Sequence, residues 1–218
     1  MTLSIVYNTD CLQGLYKTPE KSFDLAIIDP PYGIGEDGGK NHTRGNKGIP
    51  ATNYKPFQGG DIAPDIEFFN ELFRVSRFQI IFGANHFISK IPYDSACWIV
   101  WDKNRPNQDF ADGELAWTNF DRSLKIFHYT WDGFRQENMK HKEKRIHPTQ
   151  KPVDLYAWIL RTFAKKGWKI LDTHVGSGSS RVACYDMGFD FMGYEIDDYY
   201  WLAQENRFKE HKKQMRLL

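Results

Sequence analysis

The stretch FDLAIIDPPY, residues 23–32, decides how this chain folds. Positions 25–28 are apolar without alternation, which is typical of a strand buried on both faces of a parallel sheet. The residues Asp29, Pro30, Pro31 and Tyr32 follow at once, at a strand tip, where open α/β sheets bind their ligands. The two prolines fix the backbone and remove two N–H donors, so acceptors are left beside an aromatic ring.

This acceptor-rich group suits a planar base that carries an amino group. The Asp29 carboxylate and the Pro30 carbonyl can accept the two amine hydrogens while Tyr32 stacks on the ring. Asp29, Pro30, Pro31 and Tyr32 are therefore the candidate catalytic residues. The alternative is a proline turn in which Asp29 caps a helix and Tyr32 packs in the core.

A second candidate strand tip lies late in the chain, in WKILDTHVGSGSS, residues 168–180. Glycines between a strand and a helix start let a ligand approach the backbone closely. Arg181 stands where the dinucleotide-binding motif has a third glycine, and Glu195 ends the next predicted strand, where a carboxylate can bind both hydroxyls of a ribose. The pattern favours a nucleoside cofactor, with a plain strand–helix–strand unit and a capping Glu as the alternative.

Short apolar runs alternate with amphipathic segments along the whole chain, which predicts an α/β fold with a mainly parallel sheet. Strands are predicted at 3–7, 23–29, 78–82, 97–101, 123–129, 168–172 and 191–195. Helices are predicted at 65–77, after Pro152, through Ala183 to Gly188, and from Asp197 to Lys213. A length of 218 residues is enough for one core, so we expect a single catalytic domain over 1–218.

The motif HPTQKP, residues 147–152, precedes the helix predicted after Pro152. Alone it indicates no more than a helix start that offers a cation and a hydroxyl to an anion. In the order DPPY, HPTQKP and D-x-x-x-GSGSS, however, the three motifs resemble the DNA amino-methyltransferases of the beta class. The resemblance covers nearly the whole chain and implies S-adenosylmethionine as cofactor. It also implies a Rossmann-like, circularly permuted sheet of seven strands, with its last strand antiparallel and the glycine strand beside the DPPY strand.

The resemblance assigns cofactor-binding residues as well. Asp10 would lie near the cofactor adenine, Glu195 would hold the ribose, and Thr149 and Lys151 would meet the methionine end, where Lys151 faces a carboxylate. His174 replaces an aromatic residue usual in the family, and we expect it to pack as a polar substitute, with a ligand-facing role as the alternative. The full predicted set is Asp10, Asp29, Thr149, Lys151, Asp172, Gly176, Ser177, Gly178 and Glu195.

Double-stranded DNA is the expected partner, and it must be met by local patches because 29 Lys and Arg face 28 Asp and Glu. Two stretches are candidates. Residues 33–60 hold eight of the 17 glycines and include Arg44 and Lys47, while residues 130–147 include Lys140, Lys142, Lys144 and Arg145. Ordinary solvated loops are the alternative for both. A homodimer is a further expectation from the resemblance.

Cys11, Cys97 and Cys184 lie far apart, without the spacing of a disulfide framework or a metal site. No signal segment opens the chain and no apolar run reaches the roughly 20 residues that span a bilayer. We therefore expect a soluble, cytoplasmic protein that needs no metal. None of the cysteines has a neighbour that would activate a thiolate, which argues against methylation at C5 of cytosine.

The predicted function is site-specific transfer of a methyl group from S-adenosylmethionine to N6 of a flipped-out adenine, by direct displacement. Asp rather than Ser before PPY favours adenine by resemblance. The alternatives are N4 of cytosine or RNA adenine as the target of the same fold, and a noncatalytic nucleic-acid-binding module. A dehydrogenase is a third alternative, which Arg181 in the glycine motif disfavours.

Overall fold

A computed structural model describes residues 2–36, 38, 54–105, 111–132 and 135–215. The strands are β1 Ser4–Asn8, β2 Phe23–Ile28, β3 Ser76–Phe82, β4 Ile99–Asp102, β5 Gly113–Thr118, β6 Lys125–His128, β7 Lys169–Asp172 and β8 Asp190–Glu195. The α-helices are α1 Cys11–Tyr16, α2 Ile66–Val75, α3 Val153–Phe163, α4 Ser179–Asp186 and α5 Asp198–Met215. Two short 3₁₀ helices, Ala84–His86 and Ile88–Lys90, follow β3.

The described strands form one eight-stranded sheet in the order β1-β8-β7-β2-β3-β5-β4-β6. Neighbouring strands are parallel, apart from β5, which is antiparallel to both β3 and β4. Strand β7 pairs directly with β2, through Leu25 with Ile170 and Ala26 with Leu171. The late glycine strand therefore lies beside the DPPY strand, as the permuted motif order implies.

All seven predicted strands are confirmed, with ends that differ by at most two residues, but the sheet contains an eighth strand. The addition is β5, and it is also the antiparallel strand, so the antiparallel strand lies inside the sheet and is not the last strand of the chain. Its sequence, GELAWT, begins with a glycine and a glutamate, both of which are uncommon in strands. Pairing with β3 and β4 on either side, rather than local propensity, makes this segment a strand.

The core lies on both faces of the sheet, and strand β2 shows why its sequence is apolar throughout. Leu25 and Ile27 face the cluster that includes helix α3, whereas Ala26 and Ile28 face the cluster formed with helices α1 and α2. The helices predicted around 65–77, after Pro152, at 183–188 and from Asp197 are all confirmed. Helix α1 was not indicated by the pattern because six residues are too few to show helical periodicity. Across the described ranges, no helix is both long and apolar enough to cross a membrane.

Candidate active site

Four acidic residues lie at or just beyond the carboxyl ends of parallel strands. Asp10 follows β1, Asp29 follows β2, Asp172 ends β7 and Glu195 ends β8. Because these strands are parallel, the four residues line one edge of the sheet. The strand order reverses between β7 and β2, which is where an open α/β sheet forms its ligand crevice.

Asp29 belongs to a network of charged and hydroxyl groups centred on Lys151, which we call the base pocket after the base that the sequence predicts here: Asp29, Tyr32, Lys103, Glu114 and Lys151. The Lys151 ammonium lies 2.6 Å from Asp29 Oδ2, and the Tyr32 hydroxyl donates to Asp29 Oδ1 at 2.6 Å. Lys151 also lies 2.9 Å from Glu114 Oε2, whose Oε1 is 2.6 Å from the Lys103 ammonium. The side chain of Lys151 is only 4% exposed, so the network is closed to bulk water at its centre.

Burial and neighbouring charge act in opposite directions on these groups. Burial raises the pKa of Asp29, and Glu114 adds to the rise against the opposing ammonium of Lys151. Burial would also raise the pKa of Glu114, but Lys151 and Lys103 outweigh it and lower the pKa to about 2. Burial alone would lower the pKa of Lys151, but the negative charges of Asp29 and Glu114 outweigh burial and raise it. The pocket therefore pairs two lysine side chains with two carboxyl side chains, and Glu114 is held as a carboxylate.

The Tyr32 ring has one face covered by protein. It stacks on His86 with ring centroids 5.3 Å apart and planes 19° apart. Gly83, at φ +66°, leaves room for this ring, because a Cβ there would lie 2.1 Å from Tyr32 Cε1. The Lys151 ammonium lies 5.6 Å from the centroid of this ring, and the tyrosine hydroxyl is bonded to Asp29.

The glycine loop between β7 and α4 is hydrogen-bonded to the side chain of Glu195. Gly176 and Gly178 have φ angles of +52° and +77°, a region that favours glycine. The Gly176 N–H donates to Glu195 Oε2 at 2.8 Å, and the Asp197 N–H donates to Oε1 at 2.9 Å. Burial raises the pKa of Glu195 against these backbone donors.

Asp172 is the most deeply buried carboxyl of this edge, at 1% exposure. It accepts from the Ser180 hydroxyl at 2.5 Å and from the His174 N–H at 2.9 Å, yet burial raises its pKa to about 7. The His174 ring packs edge-on against Phe68, with centroids 5.6 Å apart. Burial lowers the pKa of His174 to about 4, so the ring is a neutral packing group.

The HPTQKP motif divides between two places. Lys151 enters the base pocket, whereas Thr149 is exposed, with its hydroxyl 3.1 Å from His147 Nδ1. The His147 ring stacks on Phe57 at 5.0 Å and meets Tyr200 edge-on at 4.4 Å, and burial lowers its pKa to about 3. A Cβ on Gly176 would lie 3.5 Å from this ring, so His147 forms a wall beside the glycine loop.

A half-buried arginine, Arg207, connects the glycine loop to the segment 130–147. Arg207 donates to the Ser177 carbonyl at 2.9 Å and to Ser179 Oγ at 3.0 Å, and its other terminal nitrogen lies 2.7 Å from Glu143 Oε2. Glu143 Oε1 accepts from the Val153 N–H at the start of α3. The Ser177 carbonyl is thus linked through Arg207 to Glu143, which joins the glycine loop to the segment 130–147.

The predicted DNA-contacting residues do not form a uniform set. Lys140, Lys142 and Lys144 are exposed. Arg145 is half-buried, donates to the Pro148 carbonyl at 2.6 Å and lies 5.8 Å above the Tyr54 ring. Arg44 and Lys47, with most of the 33–60 stretch, lie outside the described residues.

Two members of the base pocket, Glu114 and Lys103, belong to none of the sequence motifs. Glu114 lies on β5, and Lys103 follows β4 directly. The only local signal is an acidic residue in the otherwise apolar run ELAW. Nothing in the sequence spacing links either residue to DPPY or HPTQKP, because the antiparallel pairing of β5 brings them there.

Residues 93–205, just over half of the chain, match the model of the DNA methylase family of the N6/N4 type. The chain belongs to this family. Among curated relatives, the Type II methyltransferase M.HinfI from Haemophilus influenzae is 23% identical over 258 residues, covering 96% of this chain and 69% of the relative. The Type II methyltransferase M.HpaI from Haemophilus parainfluenzae is 26% identical over 237 residues, covering 90% and 72%.

Solved structures share the fold at low sequence identity. The crystal structure of the M1.HpyAVI–SAM complex aligns with a TM-score of 0.60 at 20% identity and covers 95% of this chain and 99% of that chain. The PvuII DNA methyltransferase, described as cytosine-N4-specific, aligns with a TM-score of 0.62 at 12% identity, covering 95% and 87%. Fold alone therefore leaves the choice of target base open.

Proposed function

We propose that this protein transfers a methyl group from S-adenosylmethionine to N6 of adenine in double-stranded DNA. The observation that carries the proposal is the Asp29 carboxylate at the switch point of the sheet, ionically paired with Lys151. Its oxygens have lone pairs to spare beyond the bonds to Lys151 and Tyr32, so one can accept a hydrogen from an incoming amine.

The amine of adenine is a weak nucleophile because its lone pair is delocalised into the ring. A carboxylate that accepts an amine hydrogen favours a pyramidal nitrogen and stabilises the positive charge that develops on it. Asp29, with the adjacent Pro30 carbonyl, performs this role in the proposal, and the Tyr32 ring is proposed to stack on the flipped base. None of these steps needs a covalent intermediate on the protein.

The glycine edge fits S-adenosylmethionine chemically. Asp172 is buried and Glu195 is half-buried, and their described hydrogen bonds come from backbone N–H groups and one hydroxyl, so no described cation pairs with either. Ribose hydroxyls and a sulfonium are suitable partners for such groups. When bound, the cofactor supplies a methyl group on a sulfonium centre. The proposed cofactor set is completed by Asp10, Gly176, Gly178 and Thr149, and by Asp29 and Lys151 where it meets the base pocket. Ser177 acts through its backbone.

Adenine is proposed over cytosine because Asp heads the PPY motif. Incubation with labelled S-adenosylmethionine and either several duplex DNAs or RNA, then digestion to nucleosides, tests this directly. The expected product is N6-methyladenine. Label in N4-methylcytosine would contradict the base assignment, label in RNA alone would contradict the DNA assignment, and no label in any substrate would favour a noncatalytic binding module.

DNA binding is proposed to use the exposed lysines of the 130–147 segment. Replacing Lys140, Lys142 and Lys144 together by Gln should lower the slope of log K against log salt by about 0.9 for each lost phosphate contact. Arg145→Gln is the matched control, because its guanidinium is already bonded to Pro148 and should change the slope much less. An unchanged slope in the triple variant would show that this segment does not contact phosphates.

A homodimer is the proposed assembly. Leu3 and Tyr7 near the edge strand β1, and Tyr199 and Leu202 on α5, are large apolar residues with exposed side chains. Sedimentation equilibrium of the protein at micromolar concentration is the test. A monomer up to that concentration would contradict the assembly without bearing on the reaction.

A further inference from the structure

Glu114 belongs to no sequence motif, yet it contacts three other members of the base pocket: Lys103, Lys151 and Tyr32. Its Oε1 lies 2.6 Å from Lys103 Nζ, and its Oε2 lies 2.9 Å from Lys151 Nζ. The Tyr32 hydroxyl is 3.4 Å from Oε2. The strand that carries Glu114 runs against its neighbours, so its side chain reaches the carboxyl edge from the opposite chain direction.

We propose that Glu114 is a positioning residue for methyl transfer, which holds the Lys151 ammonium against Asp29 and so sets the charge and orientation of the amine-accepting carboxylate. The proposal deepens the proposed function, since it rests on Asp29 as the acceptor.

The hydrogen-bonding capacity of Lys151 supports this assignment. An ammonium has three N–H donors, and three acceptors surround this one: Asp29 Oδ2 at 2.6 Å, Glu114 Oε2 at 2.9 Å and the Tyr32 oxygen at 3.2 Å. All three belong to the base pocket. Lys151 is therefore directed towards Asp29 by partners on two sides, and Glu114 is the only one of the three outside the DPPY motif.

The order of charges gives the second argument. The four charged side chains form a row of contacts that runs from Lys103 to Glu114, then to Lys151 and Asp29. Positive and negative groups alternate along this row, so their formal charges cancel. A buried charge that loses its partner is strongly disfavoured. Without the charge on Glu114, Lys103 would lose its partner, and Lys151 would be paired with Asp29 alone. Glu114 thus leaves Asp29 able to accept from a substrate.

The other groups that face Asp29 define what a change at Glu114 can alter. Besides Lys151 and the hydroxyl of Tyr32, these are Tyr156 on α3 and Asp172 on β7. The negative charges of Glu114 and Asp172 favour the protonated form of Asp29, and Lys151 favours the carboxylate. Removing the charge on Glu114 must therefore lower the pKa of Asp29, whereas a purely structural role would leave it unchanged.

The first test is the variant Glu114→Gln, which keeps the size of the side chain and removes its charge. Single-turnover methyl transfer to duplex DNA is measured from pH 5 to 9. We expect the rate at neutral pH to fall about tenfold, since charge-assisted bonds to Lys151 and Lys103 are lost. The acid limb of the profile should move to lower pH, and KM for the cofactor should stay within about twofold of the parent.

A charge-balanced double variant separates charge from packing. Lys103→Met alone should move the acid limb to higher pH, because it removes a positive charge from the same network. Lys103→Met combined with Glu114→Gln should return the limb towards its position in the parent. A structural role predicts instead that the two substitutions lower the thermal stability without moving the limb.

A readout that needs neither DNA nor activity distinguishes this proposal from the proposed function. Carbon-13 NMR of aspartate carboxyl groups, with the Asp29 signal assigned by its loss in Asp29→Asn, follows the ionisation of Asp29 in the protein alone. We expect its titration to move to lower pH in Glu114→Gln and to higher pH in Lys103→Met. If the first variant does not fold, the second decides the question.

The proposal is overturned if Asp29 titrates at the same pH in the parent and in the folded variants. A parent protein that methylates no DNA would overturn the proposed function instead, and the NMR titration would still decide whether Glu114 controls the charge of Asp29.

Discussion

The base pocket and the glycine edge both bury acidic groups, but they compensate them differently. In the base pocket, Asp29 and Glu114 are paired with the ammonium groups of Lys151 and Lys103. At the glycine edge, Asp172 and Glu195 accept hydrogen bonds from backbone N–H groups and a serine. No salt bridge among the described residues includes either of them.

In the proposed function, this difference assigns two kinds of ligand to one edge of the sheet. Backbone donors satisfy a carboxyl group without supplying a counter-charge, so burial raises the pKa values of Asp172 and Glu195. A bound cation with hydroxyl groups would favour their ionised forms. Lysine ammonium groups cancel the charge, so the base pocket suits a neutral, planar molecule. The same residue types thus favour a sulfonium cofactor on one side and a base on the other.

The largest expected effect tests the base pocket itself. Asp29→Ala should lower methyl transfer by about a thousandfold or more, because both charge stabilisation and orientation of the amine are lost. The protein should still fold, since Lys151 keeps Glu114 as a partner. Calorimetric binding of S-adenosylmethionine is the control and should be nearly unchanged. Robust transfer by this variant would remove Asp29 from the mechanism.

The next effect tests the claim that the glycine edge buries an uncompensated carboxyl group. The folded-state pKa of Asp172 is raised to about 7, so its contribution to stability is complete below the ordinary pKa of about 4 and is lost as pH rises through about 7. Asp172→Asn should therefore gain stability relative to the parent between pH 5 and 8, on the order of 2 kcal/mol.

Urea unfolding of both proteins at pH 5 and pH 8, without cofactor, measures this difference. Burial lowers the pKa values of His147 and His174, so their contribution to the stability of the protein is lost as the pH falls. Both histidines are present in the parent and in the variant, so this contribution cancels in the difference. A difference in unfolding free energy that does not change with pH would mean that Asp172 titrates normally.

A smaller effect concerns Glu195 at the same edge. Glu195→Ala should weaken binding of S-adenosylmethionine at least about tenfold, since two charge-assisted hydrogen bonds are lost. Glu195→Gln is the matched control, because it keeps the shape and one acceptor for the Gly176 or Asp197 N–H. Calorimetry that shows the same affinity in the alanine variant would remove Glu195 from the cofactor site.

The smallest expected effect refines the role of Tyr32. If this ring only stacked, Tyr32→Phe would be neutral, but the hydroxyl donates to Asp29 at 2.6 Å. We expect an approximately fivefold lower rate in Tyr32→Phe, the equivalent of about 1 kcal/mol for one hydrogen bond. Tyr32→Ala should lose a further 1 to 3 kcal/mol or so of base binding. Equal rates for Tyr32→Phe and the parent would restrict the tyrosine to stacking.

Sequence reasoning was most successful where a function depends on consecutive residues. DPPY and GSGSS each follow an apolar strand, and their positions at strand tips are confirmed by β2 and β7. It was least successful for α1, whose six residues are too short for a periodic pattern, and for β5, whose start is polar.

By itself, the sequence determined the strands that carry the motifs, the α/β class and the permuted motif order, because buried strands and turns are encoded by neighbouring residues. The tertiary structure decided that Lys151 meets Asp29, 122 positions away, and that Glu114 and Lys103 complete the pocket. The physical reason is that β5 becomes a strand through pairing with β3 and β4. Only that pairing brings the Glu114 carboxylate to the same edge as DPPY.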